Sequence, residues 1–241
     1  MIYGALFSRI YDREWAFWAE HLWPFLSAKV GKCCPRARTW LDLCCGGGHL
    51  LERICEAGCV GVGLDLSPHQ LAFARRNAPT AKLLCADVRA FEFRARFDVI
   101  TCAFDSLNYL TEPQDLAGVF ARVARHLAEC GLFVFDVNVF EGLQDAWDRK
   151  SSIECGDERV TIETSFDPET AIGRAVISGF VAEEDTSPTF VEEHIERGYR
   201  AYEIEGMLGA EGFAFEKLDG HSLQAPEERS ARLLYVCRGR P

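Results

Sequence analysis

No C-x-x-C pair, no apolar run long enough to cross a bilayer, no tract of like charge and no internal repeat occur in the 241 residues. Without C-x-x-C, the 11 cysteines lack the spacing of a zinc ribbon or a dithiol redox motif, and the chain is too long for a small disulfide-stapled scaffold. Cys55, Cys59, Cys85 and Cys102 instead sit inside apolar segments, where a free thiol packs as a small hydrophobe. A reducing, cytoplasmic setting is the expectation. The adjacent pairs Cys33-Cys34 and Cys44-Cys45 have no histidine or cysteine at ligand spacing, so no metal site is expected. A spanning helix needs about 18 apolar residues, which excludes a helical membrane protein. Arg9, Asp12, Arg13 and Glu14 interrupt the opening aromatics, so no signal-peptide h-region is read there. Positive charge is in deficit: 26 Lys and Arg against 37 Asp and Glu give −11, which argues against nucleic acid or a membrane surface as partner. With 48% apolar residues the chain can bury a full core, as one domain with an embellishment.

What is present is organised around Thr39-Trp40-Leu41-Asp42-Leu43-Cys44-Cys45-Gly46-Gly47-Gly48-His49-Leu50. An apolar run ending in an acid, a small-residue turn, and Leu50, Leu51, Ile54 and Cys55 at helical spacing predict strand, turn and helix. Glycines let the backbone come close to a ligand, and the helix N-terminus behind them favours anionic groups. Further strands are expected at 59–65, ending in Asp65, at 81–87, ending in Asp87, at 97–104, and at 131–136, ending in Asp136. Ser67-Pro68-His69-Gln70 reads as an N-cap, a proline at the first helical position and a capping-box glutamine, and Thr111 with Gln114 as a second capping box. Regular β–α alternation implies an α/β, doubly wound, mostly parallel seven-stranded Rossmann-like sheet, completed by closing strands near 213–221 and 231–238. Segments 159–165, 171–180 and 189–199 alternate as an antiparallel β insert after strand five. Trp15, Trp18, Leu22 and Phe25 fall on one helical face, with Pro24 kinking or ending that helix. The expected organisation is a helical lid over 1–30, a cofactor-binding core over 31–141 and 201–241, and the insert over 142–200, covering the acceptor pocket.

In such sheets ligands lie at the carboxyl ends of the strands near the switch point, where Asp42, Asp65, Asp87, the 104–109 loop and Asp136 all fall. Asp65 follows Gly48 by 17 residues, near the ~20 expected of an acid that takes ribose hydroxyls. The nicotinamide fingerprint G-x-G-x-x-G/A fails: counted from Gly46 its last position is Leu51, and from Cys44 it is His49. A nucleotide-cofactor oxidoreductase and a non-catalytic cofactor-binding module stay open as alternatives.

Read as D-x-G-x-G-x-G with Cys44 in place of the first glycine, the stretch resembles the class I S-adenosylmethionine-dependent methyltransferases. Tyr11-Asp12, Leu-Asp-Leu-Cys-Cys-Gly and Asp105-Ser106-Leu107-Asn108-Tyr109 resemble the branch that methylates small molecules. The resemblance implies S-adenosyl-L-methionine as cofactor and a small-molecule acceptor, methylated on N or O by a monomer or homodimer. It implies that Asp42 and the turn from Cys44 and Gly46 onward hold the methionine end, with Tyr3 or Tyr11 reaching its carboxylate. Asp65 would take the ribose, Leu66 would pack on the adenine, Asp87 and Val88 would address its edge, and the Phe104 carbonyl would face the methionine amino group. Cys44 is tolerable in this pattern if its φ is negative. Asn108, Tyr109 and His194 are the candidate catalytic residues, and Asp136 lies near them. Arg197 and Arg232 read as surface ion pairs.

Overall fold

The computed structural model describes residues 3–155, 158–180 and 187–239. Helices α1 (Ala5–Glu14) and α2 (Phe17–Cys33) come first. The alternating part follows: β1 (Thr39–Leu43), α3 (His49–Glu56), β2 (Val60–Asp65), α4 (Pro68–Asn77), β3 (Lys82–Cys85) and β4 (Phe97–Cys102). A 3-10 turn at Ser106–Tyr109 leads to α5 (Pro113–His126) and the long β5 (Leu127–Asn138). The insert holds α6 (Phe140–Ala146), β6 (Lys150–Cys155), β7 (Glu158–Asp167), β8 (Ile172–Phe180) and β9 (Phe190–Arg197). The chain closes with α7 (Ala201–Ala210), β10 (Ala214–Asp219) and β11 (Arg232–Arg238).

Among the described residues the strands form a seven-stranded sheet, ordered β10-β11-β5-β4-β1-β2-β3, and a four-stranded antiparallel sheet, β6-β7-β8-β9. β1 to β5 pair in parallel and β11 runs antiparallel between β5 and β10, so the expected doubly wound fold is present, with the closing pair as an antiparallel neighbour pair. The chain reverses its winding between β1 and β4, and the carboxyl ends there form the crevice. Apolar runs account for the central strands: Leu41, Leu43, Ile100, Phe133, Phe135 and Val137 are fully buried on one side of the sheet, under Val119, Phe120 and Val123 of α5. On the other side Leu51 and Ile54 of α3 and Leu71 and Ala74 of α4 pack with Leu22 and Leu26 of α2.

The opening helices divide their loyalties. α2 belongs to the main sheet, whereas Phe7 and Ile10 of α1 pack on Val160 and Ile177 of the insert. The single face expected from Trp15 to Phe25 is therefore split: Trp15 ends α1 and stacks on Tyr11 at 5.3 Å, while Trp18 and Leu22 are buried in α2. Pro24 lies inside α2 without ending it. Two capping expectations also change. α5 begins at Pro113 with Glu112 as its N-cap and no side-chain capping bond, so Thr111 and Gln114 form no capping box. At α4, Ser67 Oγ accepts from Gln70 N at 3.3 Å, but the Ser67 N–H is taken by Asp65 Oδ1 at 2.8 Å and not by the Gln70 side chain. β6 escaped the sequence reading because Lys150-Ser151-Ser152 offers no apolar alternation. No helix among the described residues is long and apolar enough to cross a membrane.

Candidate functional site

The turn after β1 is built by its own backbone and by Asp65. Cys45 N donates to Leu64 O and Gly48 N to Cys45 O, both at 2.9 Å, and Gly46 N donates to Asp65 Oδ2 at 2.8 Å. Gly46 and Gly48 have φ of 52° and 81°, and a Cβ on Gly48 would stand 2.9 Å from Ala74, so α4 could not pack there. Cys44 departs from expectation: its φ is 55°, in the left-handed region, where an L side chain costs about 1–2 kcal/mol. The thiol packs against the α5 side of the core and borders the cavity, so burial offsets part of that strain. Cys44→Gly should raise the melting temperature by about 2–4 °C, the shift for about 1 kcal/mol in a chain of this size. An unchanged or lower value by calorimetry removes the strain argument.

A cavity of about 520 Å³ opens at the carboxyl ends of β1, β2 and β3. Its wall brings together Tyr3, Tyr11, Cys44, Gly46, Asp65, Leu66, Asp87, Val88 and Tyr109 from the expected set. Asp42 and Phe104 line a smaller hollow of about 80 Å³, which shares Tyr11, Cys44, Gly46 and Ser106 with the first. The two spaces are thus adjoining, with the glycine turn as their common wall. Asn108 and His194 line neither. Asn108 is fully buried and spent on the backbone: its Nδ2 donates to Asn138 O and Arg197 O, each at 2.7 Å, and its Oδ1 accepts from Asn138 N at 3.0 Å. It ties the 3-10 turn to β5 and β9 and has nothing left for a substrate.

The acids differ in what holds them. Burial raises the Asp65 carboxyl, opposed by the N–H groups of Ser67 and Gly46, each of which meets a different oxygen. Asp42 is pushed up to about 7 by burial, against the Thr101 hydroxyl that donates to its Oδ1 at 2.6 Å. Asp87 is half-exposed and held low by Arg89, whose Nη2 stands 2.6 Å from Oδ2. Leu66 is 61% exposed, an apolar face beside Asp65 that the fold itself leaves uncovered.

On the opposite wall Tyr109 is backed by a buried histidine. The Tyr109 hydroxyl stands 2.8 Å from His194 Nδ1 and 3.2 Å from the Tyr3 hydroxyl, and burial first raises both tyrosines well above their ordinary range. Glu192 accepts from the backbone N–H groups of Tyr3 and Gly4, which fixes the start of α1, and one of its oxygens lies 3.4 Å from His194 Nε2. Behind this wall Asp136 is fully buried and spent: it accepts from Phe104 N at 2.6 Å, Asp105 N at 3.1 Å and Arg232 Nη1 at 2.7 Å. Arg232 also pairs with Asp105 and lies over the Trp18 and Phe104 rings at 4.7 and 5.2 Å. It is a core cation and not the surface ion pair expected from the sequence, whereas Arg197 does meet Glu203, at 3.6 Å. Glu196, which the sequence did not single out, is buried beside Asp105 and pushed up to about 8 by burial and that neighbour. Its alternation with His194 and Glu192 along β9 was the available signal.

Residues 41–131 match the family described as a methyltransferase domain. The dTDP-3-amino-3,6-dideoxy-alpha-D-glucopyranose N,N-dimethyltransferase of Streptomyces fradiae is 30% identical over 197 residues, 81% of this chain and 77% of that protein. The crystal structure of an S-adenosylmethionine-dependent methyltransferase from Clostridium acetobutylicum superposes with a TM-score of 0.84 at 27% identity, covering 98% of each chain. Streptomyces venezuelae DesVI shares the fold, with a TM-score of 0.75 at 24% identity over 92% of each chain.

Proposed function

The chain belongs to the class I S-adenosylmethionine-dependent methyltransferases, and on that premise we propose that it N-methylates a small amine, of the amino-sugar type named for its Streptomyces fradiae relative. The observation that carries the cofactor assignment is the wall of the large cavity, where the glycine turn, a buried carboxylate and an uncovered leucine converge. The residues present fit the cofactor. Asp65 Oδ2 accepts from Gly46 N and Oδ1 from Ser67 N, and an ionised carboxylate, with about four acceptor sites, keeps capacity for a ribose diol beyond its backbone donors. Leu66 offers an apolar surface to adenine, with Val88 and Asp87 at its edge, while Asp42, Phe104 and the 44–48 backbone serve the methionine end in the adjoining hollow. Tyr11 of α1 and Tyr3, just before that helix, close the cavity and act as lid residues.

The bound cofactor supplies an electrophilic methyl group on a good leaving group, so the protein's task is orientation and exclusion of water. Positioning of this kind supplies on the order of 7–11 kcal/mol. Tyr109 touches the acceptor: as the amine nitrogen takes the methyl group, its proton passes to the Tyr109 oxygen while the Tyr109 hydroxyl proton moves to His194 Nδ1, 2.8 Å away; His194 is therefore a positioning residue acting through Tyr109. The free thiols among the described residues support a cytoplasmic setting. S-adenosylhomocysteine at about 100-fold excess over its Kd should stabilise the protein by about 2.7 kcal/mol, read as a rise in melting temperature, with no shift from NAD(H). The reverse pattern sinks the reading. Transfer of labelled methyl to amine acceptors and not to matched alcohols tests the acceptor class. His194→Ala should lower kcat by about 10²-fold, the lower end for a proton acceptor, and leave S-adenosylhomocysteine affinity unchanged. A wild-type rate retires the Tyr109–His194 pair.

A further inference from the structure

We propose that the Gln70 side chain hydrogen-bonds a ribose hydroxyl of the cofactor, at the corner of the cavity where Gly46 meets Asp65; this rests on the assignment of that cavity to S-adenosylmethionine. The local sequence predicts a different job for Gln70, closing the cap of α4 onto Ser67 N. Asp65 holds that N–H instead, at 2.8 Å, and Gln70 gives the cap only its backbone N–H. The amide is released from the helix end. It is 1% exposed, and neither its Oε1 nor its Nε2 has a partner among the described residues. It lines the large cavity, and its Oε1 lies 3.8 Å from the point where a Cβ on Gly46 would stand.

Seven residues further along the same helix face, Asn77 has both amide protons engaged: its Nδ2 donates to Asp12 Oδ1 and to Gly47 O, each at 2.9 Å. α4 therefore carries one amide that fastens the glycine turn to α1 and another that the fold leaves without a bond. A buried amide with no partner costs free energy that an apolar side chain of similar size does not. Of the residues with such buried unpartnered atoms among those described, Gln70 is the one that lines the large cavity, where a ligand can supply the bond. A hydroxyl has one proton to give and lone pairs to receive. Asp65, ionised, only accepts; Gln70 Nε2 supplies the donor that the same hydroxyl oxygen needs.

Gln70→Leu tests this in the full chain, with calorimetric titration of S-adenosylhomocysteine and melting of the ligand-free protein read together. The expected result is a ligand-free melting temperature equal to or above wild type, with affinity about tenfold weaker, the loss of one net hydrogen bond to a ligand. 5′-Methylthioadenosine, which keeps the ribose and lacks the amino acid, should lose affinity by the same factor. Gln70→Glu, which keeps the length but loses the donors, should bind at least as weakly, and it serves as the reading if the leucine variant does not fold. Wild-type affinity in these variants overturns the proposal, as does a lower melting temperature with affinity unchanged, or a loss confined to S-adenosylhomocysteine. A wild-type protein that binds neither ligand overturns the cavity assignment itself, and the proposal falls with it.

Discussion

Asp65→Ala is expected to bind S-adenosylhomocysteine at least about 100-fold more weakly than wild type, because hydrogen bonds to a charged group are worth about 1.5–3 kcal/mol each and a diol makes two. The same carboxylate clasps the N–H groups of Gly46 and Ser67, so alanine also loosens the turn that must meet the ligand. Folding suffers less than binding. Burial raises the Asp65 pKa, which means that its ionised form is already disfavoured in the folded state, and removing it relieves that penalty while orphaning its backbone donors. Asp65→Asn keeps an acceptor oxygen for one of them and should fall between wild type and alanine. The sign with pH follows. The ionised carboxylate is the binding form, so affinity declines as pH falls, beginning above the range in which an ordinary aspartate titrates. Calorimetry at a series of pH values checks this. Affinity in the alanine variant equal to wild type would remove the ribose assignment, and with it the main reason for placing the cofactor in this cavity.

The sheet and its glycine turn were readable because central parallel strands are buried on both faces and announce themselves as apolar runs, with an acid near the end of β1 and at the end of β2. Nine of the expected site residues do converge on one cavity, since strand ends on one rim of a doubly wound sheet have nowhere else to go. What the sequence hid was how each polar group is spent. Asn108 and Asp136 occupy suitable positions in the chain, yet their side chains serve backbone donors and acceptors brought from β5, β9 and the strand-four loop. Burial of Arg232 was equally invisible: β11 reads as an ordinary closing strand, and only its pairing with β5, Arg232 opposite Asn138, carries the guanidinium under α2. Local spacing suggested a capping box at Ser67 and Gln70, and a carboxylate two residues upstream took the bond. Backbone sign is the other blind spot. Cys44 and Phe104 have positive φ, which no propensity for these residues suggests, and Asp105, of a type that tolerates that region, follows them there.

Arg232→Met should be the most destabilising of these substitutions, by about 3–5 kcal/mol, because it strands a buried carboxylate rather than trimming a surface pair. Asp136 has no exposed surface, and burial already drives its pKa up; Arg232 is the counter-charge that brings it down. Glu196, raised to about 8, is mainly protonated at neutral pH, so the charges the guanidinium must balance are those of Asp105 and Asp136. Against a total stability of about 5–15 kcal/mol, that loss moves the melting temperature by about 6–20 °C. The strain in the loop adds to it. Phe104 and Asp105 sit at φ of 62° and 49°, held there by Asp136 on their N–H groups and by Arg232 on the Asp105 carboxylate. Released, the segment relaxes toward negative φ and carries Tyr109 with it, so kcat should fall further than cofactor affinity. Arg232→Lys keeps the charge but not the fork that serves two carboxylates, and it should land between methionine and wild type. The double variant Arg232→Met, Asp136→Asn separates charge from packing: with the stranded carboxylate neutralised, most of the lost stability should return, while the loop's two N–H groups still share one amide oxygen and activity stays low. Equal melting temperatures for the single and double variants would mean that the guanidinium stabilises the fold through Trp18 and Phe104 and not through the charge of Asp136.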